Sequence, residues 1–243
     1  MRRALLIGLF LLLAAPATGQ ELTIDMGGQG SLAERSIQLL VLITLLSVVP
    51  GLLIMLTCFP FIVTVLAILR QAAGLQQSPP NMLIVSLALF LTYFVMDPVL
   101  TEAWETGVRP LLDGQLEIET AFTRALEPFR VFMAGRTQPG TFDALASLRA
   151  DSTQTATASL APSAPLSLLV PSFLLSEIAR AFEIGFLIFI PFLIIDLVVA
   201  AILMSMGMMM VPPAIVSLPF KLAFFVIADG WTLIAEALVR GYG

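Results

Sequence analysis

The run Met204-Ser-Met-Gly-Met-Met-Met-Val-Pro-Pro-Ala-Ile-Val-Ser-Leu-Pro219 decides how the rest of the chain is read. It carries no charge and lies between two long apolar segments. A helix cannot pass through it undisturbed. Pro212 and Pro213 lack backbone donors and clash with the turn before them, and the residue ahead of each is driven from the α region. Gly207 adds backbone freedom just upstream. The expectation is a break with a flexible apolar lip made by Met204, Met206, Met208, Met209 and Met210. Unbranched thioether side chains can repack against changing partners.

The segments on either side set the class. Mean hydropathy is +0.99 and only 12% of residues are charged, against about a quarter in soluble domains. This is an all-α integral membrane protein. Its 243 residues have room for about four long, partly broken hydrophobic helices and one extramembrane helical segment between the second and third. The net charge of -5 argues against a nucleic-acid partner, which calls for a basic patch. Absence of histidine removes imidazole metal sites, imidazole bases and Ser-His-Asp triads together. The single cysteine, Cys58, can form neither an internal disulfide nor a thiolate cluster, and in its apolar run it reads as a small buried hydrophobe. No catalytic residue, metal site or cofactor site is expected.

Residues 1–19 read as a secretory leader. Arg2 and Arg3 precede an apolar core from Ala4 to Ala14, with small residues at Ala15-Pro16-Ala17 or Ala17-Thr18-Gly19 for cleavage. An uncleaved anchor is the other reading. A short exported tail follows at 20–35. The first hydrophobic half, 36–98, contains Pro50, Gly51 and Pro60 as expected helix breaks. One helix from Ser36 to Leu69 would be roughly 50 Å long against a hydrocarbon core of about 30 Å, so a kinked helix or a helical hairpin is expected. Interrupted helices need protein or a water-filled cavity around the freed backbone. The next apolar helix should run from Asn81 to Met96 and end at Asp97-Pro98.

Residues 99–170 form the one polar segment, read as periplasmic because it is acidic overall and follows an exported N-terminus. Within it, Leu116 to Met133 reads as an amphipathic helix, with Ile118, Phe122, Leu126, Phe129 and Phe132 at helical spacing. Asp151 to Ser167 reads as a loop. The second hydrophobic half, 171–243, holds a span at Ile184–Met204, the methionine-rich break and a last helix from Ala214 to Ala237, with Pro219 as a further expected break.

Several long motifs resemble one known family. In the first half they are Arg70-Gln71, Gly74-Leu75-Gln76-Gln77, Pro79-Pro80-Asn81 and Leu87-Ala88-Leu89-Phe90-Leu91. In the second half they are Ser176-Glu177, Ala181 to Phe186, Phe189 to Val199, Gly207 to Met210, Ile215 to Lys221 and Asp229-Gly230-Trp231. Together they resemble the FliP family of flagellar export-gate proteins over about residues 36–100 and 170–235. The injectisome type III secretion family shares many of them. The leader and Ile215 to Lys221 favour the flagellar branch. The resemblance implies a non-enzymatic core subunit of a type III protein export gate in the bacterial inner membrane, at the flagellar basal body. It implies a homo-oligomer, a pentamer, joined by FliQ-like and FliR-like subunits and an FlhB-like export protein, passing unfolded flagellar substrate proteins. It also implies that Met206, Met208, Met209 and Met210 form a gasket across the pore, and that the helices stand largely above the bilayer plane. The chain departs from the family pattern at Cys58-Phe59-Pro60-Phe61, where relatives carry Ser-Phe-Thr-Arg, and at Glu183, where glutamine is common. A small-solute transporter or ion channel is the alternative class.

Asp196, Lys221 and Asp229 are ionisable groups in apolar runs. Each costs on the order of 2.5–3.5 kcal/mol at a membrane centre, so each needs a partner or a wet cavity. Lys221 is expected to pair with Asp196 or Asp229; a proton relay is the sharper, less favoured reading. Glu177, Arg180 and Glu183 recur every three residues and share a helix face, either a solvated stripe or a subunit interface. Phe182 and Phe186, four apart, belong to the same candidate interface as packing residues.

Overall fold

The computed structural model describes residues 32–75, 78–149 and 159–242. The expected leader and most of the expected tail lie outside the described residues, as do positions 151–158 of the expected loop. The described residues are helical throughout, with no strand among them. The helices are α1 (Leu32–Met55), α2 (Phe59–Ala72), α3 (Asn81–Ala103), α4 (Arg109–Leu112), α5 (Ile118–Arg136), α6 (Pro139–Leu148), α7 (Leu166–Ser205), α8 (Pro213–Ile227) and α9 (Gly230–Arg240). A π-helical turn, Trp104–Val108, joins α3 to α4. The chain divides into one unit ending at Leu45 and a second from Leu46 to Gly243. The described part of the first is helix with exposed apolar side chains, among them Ile37, Leu40 and Ile43. The site lies in the second.

Several expected breaks are corrected. α1 runs through positions 50 and 51, so Pro50 and Gly51 do not end it. The break falls at Leu56–Cys58, where α2 begins with Pro60 in its first turn, the position that tolerates a missing N–H. α3 continues past Asp97-Pro98, and Pro219 lies inside α8. A lone proline removes one hydrogen bond and bends a helix; where apolar surroundings hold both arms, the helix continues.

α2 is the centre of the second unit. Phe61, Ile62, Val65, Leu66, Leu69 and Ala72 are all buried, at the spacing of one broad helical face. It packs along α7, and Gly185 makes this possible: a Cβ there would stand 2.5 Å from Ile68 Cδ1. A second apolar cluster gathers Met133 of α5, Phe142 of α6 and Leu168, Leu169 and Phe173 of α7. α5 is amphipathic as expected, but its buried face is Ala121, Pro128, Phe129 and Met133, while Ile118 and Phe122 face outward. The reason is a close approach of small residues. A Cβ on Gly107 would lie 2.6 Å from Ala125 Cβ and 2.7 Å from Ala121 O, so α5 rests on the π turn through its alanines.

By length and composition, Asn81–Leu112 and Leu166–Ser205 can each cross a membrane, and α8 with α9 forms a third candidate bent by 61°. The expected single helix over Ala214–Ala237 is therefore two. Asp229 sits at the bend with φ 48°, and the Gly230 that follows has no room for a side chain: its Cβ would lie 2.2 Å from Phe225. α7 is 40 residues, roughly 60 Å at 1.5 Å per residue, twice a hydrocarbon core. Its first half packs against α6 and α5, and its second half forms a hairpin with α8. Only 17% of its most apolar window is buried, so most of that surface needs lipid or protein cover.

Candidate functional site

The methionine-rich turn closes the α7–α8 hairpin, and its backbone follows a defined hydrogen-bonded pattern. Gly207 adopts φ +72°. The Met208 N–H donates to Leu203 O at 3.0 Å, and the Gly207 N–H donates to Met204 O at 3.0 Å. This is the Schellman pattern, which satisfies the orphan carbonyls of a helix end and uses a left-handed residue at the position Gly207 holds. The two residues that the motif's apolar contact uses, Leu203 and Met208, line one apolar groove of about 490 Å³ with Val199, Val216 and Phe220. Pro212 then caps α8 in extended geometry and Pro213 occupies its first turn. The result is a hydrogen-bonded hairpin tip with uncovered thioethers. Met204 and Met206 are exposed, and Met209 and Met210 are 84% and 97% accessible.

Below the tip, Lys221 of α8 reaches Asp196 of α7. Lys221 Nζ donates to Asp196 Oδ2 at 2.6 Å and to Ala72 O, the end of α2, at 3.2 Å. Ser217, one turn earlier on α8, donates to Asp196 Oδ1 at 2.5 Å. The Lys221 side chain is almost fully buried, while Asp196 keeps a 38% accessible side chain. Three helices meet at this pair. Asp229 is not part of it: it is exposed at the start of α9, where Thr232 Oγ1 donates to its Oδ1 at 3.1 Å.

Glu177 lies where neither a solvated stripe nor a subunit interface places it. It is fully buried within the chain. Arg180 Nη1 lies 3.1 Å and Arg136 Nε 3.3 Å from its Oε1, and the Tyr242 hydroxyl donates to its Oε2. Arg136 also donates through Nη1 to Gly241 O at 2.7 Å and stacks 4.0 Å above the Tyr242 ring. Phe61 meets that ring edge-on at 5.4 Å and Phe132 stacks on it at 6.0 Å. Next to Glu177, Ser176 accepts from the Gln138 N–H at 2.9 Å and donates to Ser172 O at 2.7 Å. The cluster ties Tyr242, the end of α5 and the first third of α7 together. Burial, then the charge and hydrogen bond of Glu177, hold the Tyr242 phenol well above its ordinary value of 10.0. Arg136 and Tyr242 were missed in the sequence. The available signal was Glu177 itself, a carboxylate on the same helical face as Ala181 and Gly185, which demands cations from elsewhere.

Glu183 does not join this network. It is exposed, as are Phe182 and Phe186 at 60% and 67%. Phe182 borders a groove of about 1210 Å³ between α2, α7 and α8, whose lining includes Ala67, Arg70, Gln71, Ala214 and Lys221.

The sequence model of the FliP family matches residues 42–238. The chain belongs to the FliP family. The flagellar biosynthetic protein FliP of Caulobacter vibrioides is 47% identical over 251 residues, taking in all of this chain and 92% of the relative. That of Agrobacterium fabrum is 44% identical over 98% of both chains. That of Bacillus subtilis is 45% identical over 207 residues, 85% of this chain and 92% of the relative. The range matched to the FliP family takes in the methionine turn, the Asp196–Lys221 pair and Glu177, and ends before Tyr242.

Proposed function

We propose that this chain is the core pore-forming subunit of the flagellar type III protein export gate, passing unfolded flagellar subunits across the bacterial inner membrane. Copies assemble as a ring, a pentamer by family resemblance, with FliQ-like and FliR-like subunits and an FlhB-like protein. The chain performs no catalysis and takes no cofactor.

The observation that carries this reading is the hairpin tip. A fixed turn presenting uncharged, highly accessible methionines is poorly suited to a monomer in water and well suited to a shared seal. Several copies would place their thioethers around one opening. Soft side chains can exclude water and ions when closed and part around a passing chain of any sequence. The largely uncovered α7 supports the same reading, because its apolar faces need neighbours.

The test is purification of the full chain from its native membrane in mild detergent, with mass measurement of the complex. A multi-copy assembly retaining the smaller export-gate subunits is expected. A stable monomer without partners, together with intact motility after deletion, overturns the reading.

A further inference from the structure

We propose that Glu183 of one copy seats against the Arg70 side of the groove on the next copy, so that subunits contact head to tail through an ion pair between Glu183 and Arg70. This rests on the ring reading above and names the surface through which the ring is built.

The argument begins with the faces of α7. Its buried stripe runs through Glu177, Ala181, Gly185, Phe192 and Val199. Glu183 is two residues from both Ala181 and Gly185, about 200° around the helix, so it projects from the opposite face. Its neighbours there are the exposed Phe186, Leu187, Ile190 and Ile194. A lone carboxylate in an outward apolar stripe is unfavourable against lipid and favourable against a cation. Among the described residues none pairs with it: Arg180, three residues earlier, is engaged by Glu177, and the other ion pairs use Asp196 and Glu236.

The groove has the complementary character. Two cations, Arg70 and Lys221, line it, and no carboxylate does. Lys221 is engaged by Asp196. Arg70 is held by neutral acceptors only, Pro79 O at 3.3 Å and Asn81 Oδ1, which fix its position without neutralising it. The groove floor includes Thr64, Ala67 and Gly74, small enough for a helix to approach closely. Unmatched opposite charges on two different surfaces give register and direction to an association. Because the two surfaces differ, the contact is heterologous, and repeating it produces a closed ring or an open helix.

The test uses the full chain with its partners in native membranes, in a Cys58→Ala background. Arg70→Cys with Glu183→Cys is oxidised and run without reductant. The expected result is a ladder of dimer, trimer and higher multiples, whereas either single-cysteine chain stops at dimer because it has one thiol. Glu183→Arg alone should reduce the recovered assembly about tenfold through like-charge contact, with Arg70→Glu restoring it to within about twofold. An assembly of normal mass in which the double-cysteine chain gives no species above dimer overturns the pairing and leaves the ring standing. Bands at non-integral multiples assign the face to another subunit and overturn the pairing as well. A chain that is monomeric in the native complex overturns the ring and the pairing together.

Discussion

Lys221 Nζ lies 2.6 Å from Asp196 Oδ2, about 13 Å along α7 and about 12 Å along α8 from the methionine turn. The near-equal arms show that the pair sets the register of the hairpin, with Ser217 holding the second carboxylate oxygen. The turn above is therefore presented at a fixed height.

Removing one partner should be worse than removing both. Lys221→Met leaves Asp196 without its cation; since that carboxylate is partly accessible, the loss is about 2 kcal/mol, below the 3–5 kcal/mol of a fully buried pair. Asp196→Leu with Lys221→Met should recover most of it, because a packed apolar pair replaces the ionic one. Thermal unfolding in detergent measures both, with alkylation of the buried Cys58 as the signal of opening.

Tyr242 links stability to pH at the alkaline end. Its phenol is held above 10.0 in the folded chain, chiefly by burial, so the unfolded chain loses this proton first as pH rises. The contribution is complete below pH 10 and declines as pH climbs through the raised folded value. In a Tyr93→Phe chain, which leaves Tyr242 as the one tyrosine, tyrosinate absorbance should appear only well above pH 10 or together with unfolding. Tyr242→Phe should remove this dependence and cost about 1.5–3 kcal/mol, the range for a hydrogen bond to a charged group.

Gly207 should resist replacement. At φ +72° a side chain is strained, and Gly207→Ala should cost about 1–2 kcal/mol. Gly207→Asn, which tolerates the left-handed region better, should cost less. The order of unfolding temperatures, Gly above Asn above Ala, is the expected result.

The turn and the ion pair were legible in the sequence because their signals are local or exclusive. Gly207 followed by Pro212-Pro213 can only interrupt a helix, and a lysine in an apolar run must find an acid. Which acid was not legible, because both Asp196 and Asp229 lie in apolar runs and only the folding back of α8 onto α7 brings Asp196 to the lysine, while Asp229 sits exposed at the bend before α9. The Glu177 cluster was hidden for a related reason: its partners Arg136 and Tyr242 are 41 and 65 residues distant, and no periodicity connects them. Prolines misled most. Positions 50, 98 and 219, each expected to break a helix, all lie within helices, since long apolar neighbours hold both arms in place.

The central claim is that the exposed methionines seal a shared opening. The most direct measurement is ion conductance of membranes carrying the assembled complex with Met208, Met209 and Met210 all replaced by alanine, alongside the mass of that complex. The account predicts an assembly of unchanged mass whose resting conductance rises clearly above that of the parent. An assembly of unchanged mass that stays ion-tight, or a failure to assemble at all, would show that the methionines are packing and would contradict it.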